Sequence, residues 1–176
     1  MHPYVSTYLG NRFFLTKPHI DDVAIEDIAH GLAFQCRFNG QTSAFYSVAQ
    51  HSLMVMSLVP EELQFAALLH DAAEAYLGDM VKPLKNLFPE FSRIEAHVMS
   101  IIGQCFDVEL SQLSPLIKRA DRIALVTEKR DLMPHSTESW IYLQGISPLP
   151  EVISPLPPVE AKAAYLAAFY ALRPNP

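Results

Sequence analysis

The segment LLHDAAEAYLGD, residues 68–79, sets His70, Asp71 and Glu74 inside an apolar run and adds Asp79 just past a glycine. Polar groups taken out of water among leucines and alanines are costly unless something partners them. On a helix, His70 and Glu74 stand four residues apart and Asp71 and Glu74 three, so the three side chains share one edge. An imidazole beside carboxylates can bind a cation or move a proton. Two more residues fit that chemistry. His51 sits among Ala49, Leu53 and Val55, and Asp121 among Ala120, Ile123 and Ala124. Two histidines and two aspartates from three helices can meet around one divalent cation. Mixed imidazole and carboxylate ligation suits manganese, iron, cobalt, nickel or zinc better than calcium.

The same residues also have a plain structural reading. A buried histidine bonded to an aspartate is common, and an acid near a helix end is often a cap. Spacing alone leaves the two readings level. His30 reads as a pin for the loop after its helix and His97 as a partly exposed helix residue. His2, His19 and His135 fall in expected surface segments.

The elements that must position these groups are mainly helical. Residues 4–15, aromatic and β-branched around Gly10-Asn11, predict a short hairpin. Residues 22–36 space Ile25, Ile28, Ala29, Leu32 and Ala33 at helical intervals. Residues 36–45 read as a loop turning at Asn39-Gly40. Residues 47–58 form a second helix capped by Ser47. Pro60 opens a third that runs to about Tyr76. A loop with a short turn near Pro83 leads to a long helix at roughly 90–106, burying Ile94, Val98, Ile101, Ile102 and Cys105. Ser114-Pro115 caps and starts another over 115–132. The five prolines of residues 147–158 exclude a helix interior and mark a rigid crossover. Residues 159–172 are the last helix. No strand–helix alternation is present to build a central sheet, so the expectation is an all-α bundle with a small N-terminal hairpin, one domain over 1–176.

Composition narrows the function. Half of the 176 residues are hydrophobic and the net charge is −6. No basic stripe marks a general nucleic-acid binder, although a local pocket of Arg and Lys can still receive a small anion. Cys36 and Cys105 supply neither a disulfide framework nor zinc-ribbon spacing. MHPYVSTYLGNRFFLT lacks a signal-peptide pattern, and no apolar run approaches a membrane span. The expectation is a soluble cytoplasmic protein. No nucleophile elbow, P-loop or dinucleotide fingerprint occurs.

The order His51, His70-Asp71, Asp121 resembles that of the HD-domain metal-dependent phosphohydrolases. SVAQHSLMV is similar to the segment with their first metal histidine, LLHDAAEAYLGDMVKPLK to their central signature, and IKRADRIALVTEKRDL to the segment with their last aspartate. The likeness is densest over residues 25–132. IEDIAHGLAFQCRFNGQT brings it closest to the phage dATP triphosphohydrolases, with the bacterial 5′-deoxynucleotidases next. The resemblance implies His51, His70, Asp71 and Asp121 as ligands of one transition metal, with Mg2+ able to accompany the substrate phosphates. It implies Glu74 as the acid–base group and Asp79 as its helper. Arg37 corresponds to an arginine that approaches phosphate. Lys82 and Lys85 follow the site and are further phosphate contacts, with Pro83 shaping the wall; Arg37 and the two lysines also read as ordinary solvated loop charges. The implied reaction is dATP to deoxyadenosine and triphosphate, with 5′-deoxynucleotidase action as the alternative. The implied assembly is a homo-oligomer, dimer or hexamer. The rival of another class is a non-catalytic nucleotide-binding or assembly module.

Overall fold

A computed structural model describes residues 3–134, 140 and 143–173. His2 and His135 lie outside the described residues, and His19 is exposed on the surface. The expected hairpin forms: β1 (Tyr4–Ser6) pairs antiparallel with β2 (Arg12–Phe14), Val5 opposite Phe13. Gly10 turns it with a φ of 83°, a left-handed conformation that costs glycine little. Asp27 accepts a hydrogen bond from the Leu9 N–H at 2.8 Å, which ties the hairpin to the first helix.

The rest of the secondary structure is helical. The longer helices are α1 (Ile25–Phe34), α2 (Val48–Ser57), α3 (Glu61–Leu68), α6 (Pro89–Phe106), α7 (Pro115–Leu132) and α8 (Pro158–Leu172); α4 (Glu74–Leu77) and α5 (Lys82–Lys85) are single turns. Ser47 and Ser114 cap α2 and α7 through their hydroxyls, as their side-chain chemistry predicts. Helix α2 packs against α1, α3, α7 and α8, and α8 also covers α1 and α3. Ile28, Leu32, Leu68, Leu69, Ile102, Tyr165 and Phe169 fill the centre. Burying side chains of this size contributes about 2 kcal/mol each. Among the described residues no helix is long and apolar enough to cross a membrane.

One helix departs from its sequence pattern. The run from Pro60 to Tyr76 is not continuous, because α3 stops at Leu68 and residues 69–73 form tight turns. His70, Ala72, Glu74, Ala75 and Tyr76 donate their N–H groups to carbonyls three residues back. The freed groups find other partners. The Leu68 carbonyl accepts from the Tyr165 hydroxyl at 2.9 Å and the Ala73 N–H reaches the Met99 sulfur at 3.3 Å, while the Ala67 carbonyl, besides the His70 N–H, accepts from the His70 ring at 2.8 Å. The tighter winding means that residues 70 and 74 are not stacked as on one α-helical face.

The proline-rich crossover is held by side chains. Arg130 donates to the Leu149 and Glu151 carbonyls, Asp131 accepts from the Ile153 N–H, and Gln50 bonds both Ser154 and Leu156.

Candidate metal and phosphate site

His51 projects from α2 and is fully buried. Its Nδ1–H donates to Glu128 Oε1 at 2.6 Å, so that in the neutral ring the lone pair is on Nε2. That Nε2 lies 3.3 Å from Asp121 Oδ1 and 3.5 Å from Asp71 Oδ2. His70 is fixed in the same tautomer, since its Nδ1–H is given to the Ala67 carbonyl. Its Nε2 stands 3.1 Å from Asp71 Oδ2. The two rings are 5.3 Å apart between centroids and tilted by 49°. The broken helix thus has a local effect: in the turn at 69–73 the Ala67 carbonyl orients the His70 ring.

The fit to a metal rests on two observations. Both Nε2 atoms are buried and make no hydrogen bond. Ligand atoms of His51, His70 and Asp121 all lie within 4.8 Å of one another. Imidazole nitrogens beside a carboxylate are a transition-metal donor set once the metal has displaced the Nε2 proton. His51, His70 and Asp121 are therefore a group that can hold a metal ion.

The carboxylates differ in their protonation. Burial works to raise Asp71, but His70, His51 and Arg37 hold it well below the usual carboxylate range. Asp121 is lowered too, with burial overcome by His51 and His70. Burial, reinforced by the charges of Asp71 and Asp79, pushes Glu74 well above its ordinary value. Its Oε2 is buried without a hydrogen-bond partner. Burial also raises Asp79, against the pull of Arg37. Burial lowers His51, yet Glu128 and Asp121 bring it up to about 9 in the metal-free protein.

Arg37 is buried beside this group. It follows a short β-bridge, Cys36 to Ser47, and its N–H bonds the Tyr46 carbonyl. The next three residues, Phe38, Asn39 and Gly40, all take positive φ values, a sharp reversal that holds Arg37 inward. Arg37 Nη1 is 3.8 Å from both Asp71 and Asp79, and Nε donates to Glu128 Oε2 at 3.3 Å. Lys85 donates to Glu95 at 2.6 Å on α6, within electrostatic reach of Glu74 and Asp71. Lys82 and Pro83 are exposed on α5, and among the described residues no hydrogen bond or ion pair joins them to the His–Asp group.

Glu128 escaped the sequence reading. It is fully buried, with burial opposed by Arg37 and His51, which hold it ionised. A signal was present: Glu128 is seven residues after Asp121, two helical turns along the same face, with Ala124 between them.

Comparison with known proteins decides the family. Over 168 residues the chain is 40% identical to "Uncharacterized protein YfdR" of Escherichia coli strain K12, covering 94% of this chain and 93% of that protein. The chain belongs to the YfdR family. A second relative, an uncharacterized protein of Rhodobacter capsulatus, is 35% identical over 181 residues, with 93% of this chain and 92% of that protein covered. No family model matches the chain. The YfdR family membership places this chain among near full-length relatives; it assigns no reaction.

Proposed function

We propose that this chain is a metal-dependent deoxynucleotide phosphohydrolase that cleaves dATP to deoxyadenosine and inorganic triphosphate. The observation that carries the reading is the convergence of two buried, unpartnered imidazole nitrogens with Asp71 and Asp121, beside a carboxyl raised by burial and an inward arginine. His51, His70, Asp71 and Asp121 would hold one divalent manganese, cobalt, zinc, iron or nickel ion. Such an ion, when bound, supplies Lewis-acid stabilisation of phosphoryl charge and acidifies water.

The chain's own residues supply the rest. In the reaction water attacks the α-phosphorus, the Pα–O5′ bond breaks, and O5′ needs a proton. Glu74 holds a proton above the ordinary carboxylate range and gives it to that oxygen. The attacking water returns one, so the balance is one water consumed. Arg37 offsets charge on the nonbridging oxygens, and Asp79, 3.8 Å from Nη1, orients the guanidinium. Base choice follows from a few side chains of the pocket wall, and the preference for adenine rests on the likeness of residues 25–42 to the phage enzymes.

A second reading has its own observation. Arg37 is shared among three carboxylates and Lys85 is engaged by Glu95, so fewer cations face the site than a triphosphate demands. That favours a monophosphate, and hence 5′-deoxynucleotidase action. Metal-loaded protein incubated with the four dNTPs, the matching dNMPs, ATP and AMP, with products resolved by chromatography, separates the readings. Deoxyadenosine with triphosphate is the expected result. Phosphate released only from dNMPs moves the assignment to the nucleotidase. Nucleotide bound with every phosphate intact makes the protein a non-catalytic binding module.

A further inference from the structure

Glu128 joins two arms of the site that come from different parts of the chain. Oε1 accepts from His51 Nδ1 on α2 at 2.6 Å, and Oε2 accepts from Arg37 Nε, in the turn after α1, at 3.3 Å. The carboxylate itself comes from α7 and is fully buried, so no water competes for either oxygen. The orientation matters to both partners. With Nδ1–H given to Glu128, His51 presents Nε2 to Asp121 and Asp71, and no hydrogen bond consumes that nitrogen. With Nε–H given to the same group, Arg37 turns Nη1 between Asp71 and Asp79.

We propose that Glu128 is a positioning residue that sets, through one carboxylate, both the metal-binding nitrogen of His51 and the anion-binding end of Arg37. Metal affinity and anion affinity consequently depend on the same side chain. This rests on the metal-site reading above and is independent of substrate and of hydrolysis. A residue with a merely structural role stabilises the helices and leaves both affinities alone.

The test is Glu128→Gln in the full chain. Glutamine keeps the shape but carries no charge, so both donors lose their charged acceptor and one of them faces an NH2. Binding of manganese(II) is measured calorimetrically, and binding of inorganic triphosphate is measured on the manganese-loaded protein. The expected result is a loss of about 10–100-fold in manganese affinity, as for other partners of metal-ligating histidines, with a parallel loss for triphosphate at saturating manganese. Asp131→Asn serves as the structural control, since Asp131 lies on α7 and bonds the crossover instead; it leaves both affinities unchanged. Glu128→Gln protein that binds both ligands like the wild type overturns the proposal, as does loss of one affinity without the other. If the variant does not fold, nitrogen-15 NMR of the wild type loaded with zinc decides. A proton on His51 Nδ1 with Nε2 bound supports the proposal, and the reverse tautomer overturns it. Wild-type protein that takes up no manganese overturns both this and the metal reading. Metal and anion binding without hydrolysis sinks only the phosphohydrolase assignment.

Discussion

The Tyr165 hydroxyl, on α8, donates to the Leu68 carbonyl at 2.9 Å, at the residue where α3 stops. Both residues are buried, and in a continuous helix that carbonyl would accept from Ala72. The Ala72 N–H goes to Leu69 instead. Tyrosine thus satisfies a carbonyl that the tight turn at His70 releases.

Tyr165→Phe should therefore destabilise the fold by about 1–3 kcal/mol, the cost of leaving a buried acceptor unsatisfied. Urea unfolding measures it. A change near zero would mean that water or a re-formed helical bond replaces the hydroxyl.

Gly31 lies where α1 meets α4. A Cβ there would stand 2.8 Å from the Ala75 carbonyl oxygen and 2.9 Å from its Cα. Alanine gains up to about 1 kcal/mol in helix propensity, but a clash with backbone has no flexible end to yield, and overpacking costs about 1–3 kcal/mol. Gly31→Ala should lower the melting temperature and displace α4, which carries Glu74. A more stable variant would show that the two helices separate freely.

Glu74→Gln should keep the metal and lose turnover by about 10²–10⁴-fold, the usual contribution of a positioned acid or base. Asp71→Asn should instead lose metal. Elemental analysis alongside product assays distinguishes them. Full turnover in metal-loaded E74Q protein would remove Glu74 from proton transfer.

Asp131 links stability to acid. Its hydrogen bond from Arg130 holds it below the usual carboxylate range, burial opposes this, and the Ile153 N–H lowers it further. A depressed native value means that the contribution is fully present above the unfolded carboxylate value, about pH 4, and is lost as pH falls through the native one. Acid should thus release the crossover over residues 147–157 below about pH 4, seen as faster amide exchange at Ile153. Asp131→Asn should abolish that pH dependence; an unchanged profile would place the acid sensitivity elsewhere.

Much of the architecture was legible because its signals are local. Helical spacing placed α1, α2, α6, α7 and α8, Ser47 and Ser114 announced their caps, and the Gly10 turn announced the hairpin. The break at 69–73 was not legible, since LLHDAAEAYL reads as continuous helix and the groups that stabilise the interruption, Tyr165 and Met99, are distant in sequence. Lys82 and Lys85 follow the signature in sequence, but α5 exposes one and hands the other to Glu95.

By itself the sequence determined which side chains exist to do chemistry, that His51, His70, Asp71, Glu74 and Asp121 stand in or beside apolar runs, and that His51 and Asp121 are borne by helices. Periodicity is a property of neighbours along the chain, so those facts needed no third dimension. Only the tertiary structure decided that the His51 and His70 Nε2 atoms point the same way, because each ring is turned by what its other nitrogen meets: Glu128 on α7 for one, the Ala67 carbonyl for the other. It likewise decided that Arg37 lies inward, held by Glu128, Asp71 and Asp79. A hydrogen bond between residues 77 or 91 positions apart leaves no mark on local spacing, and here such bonds aim the site.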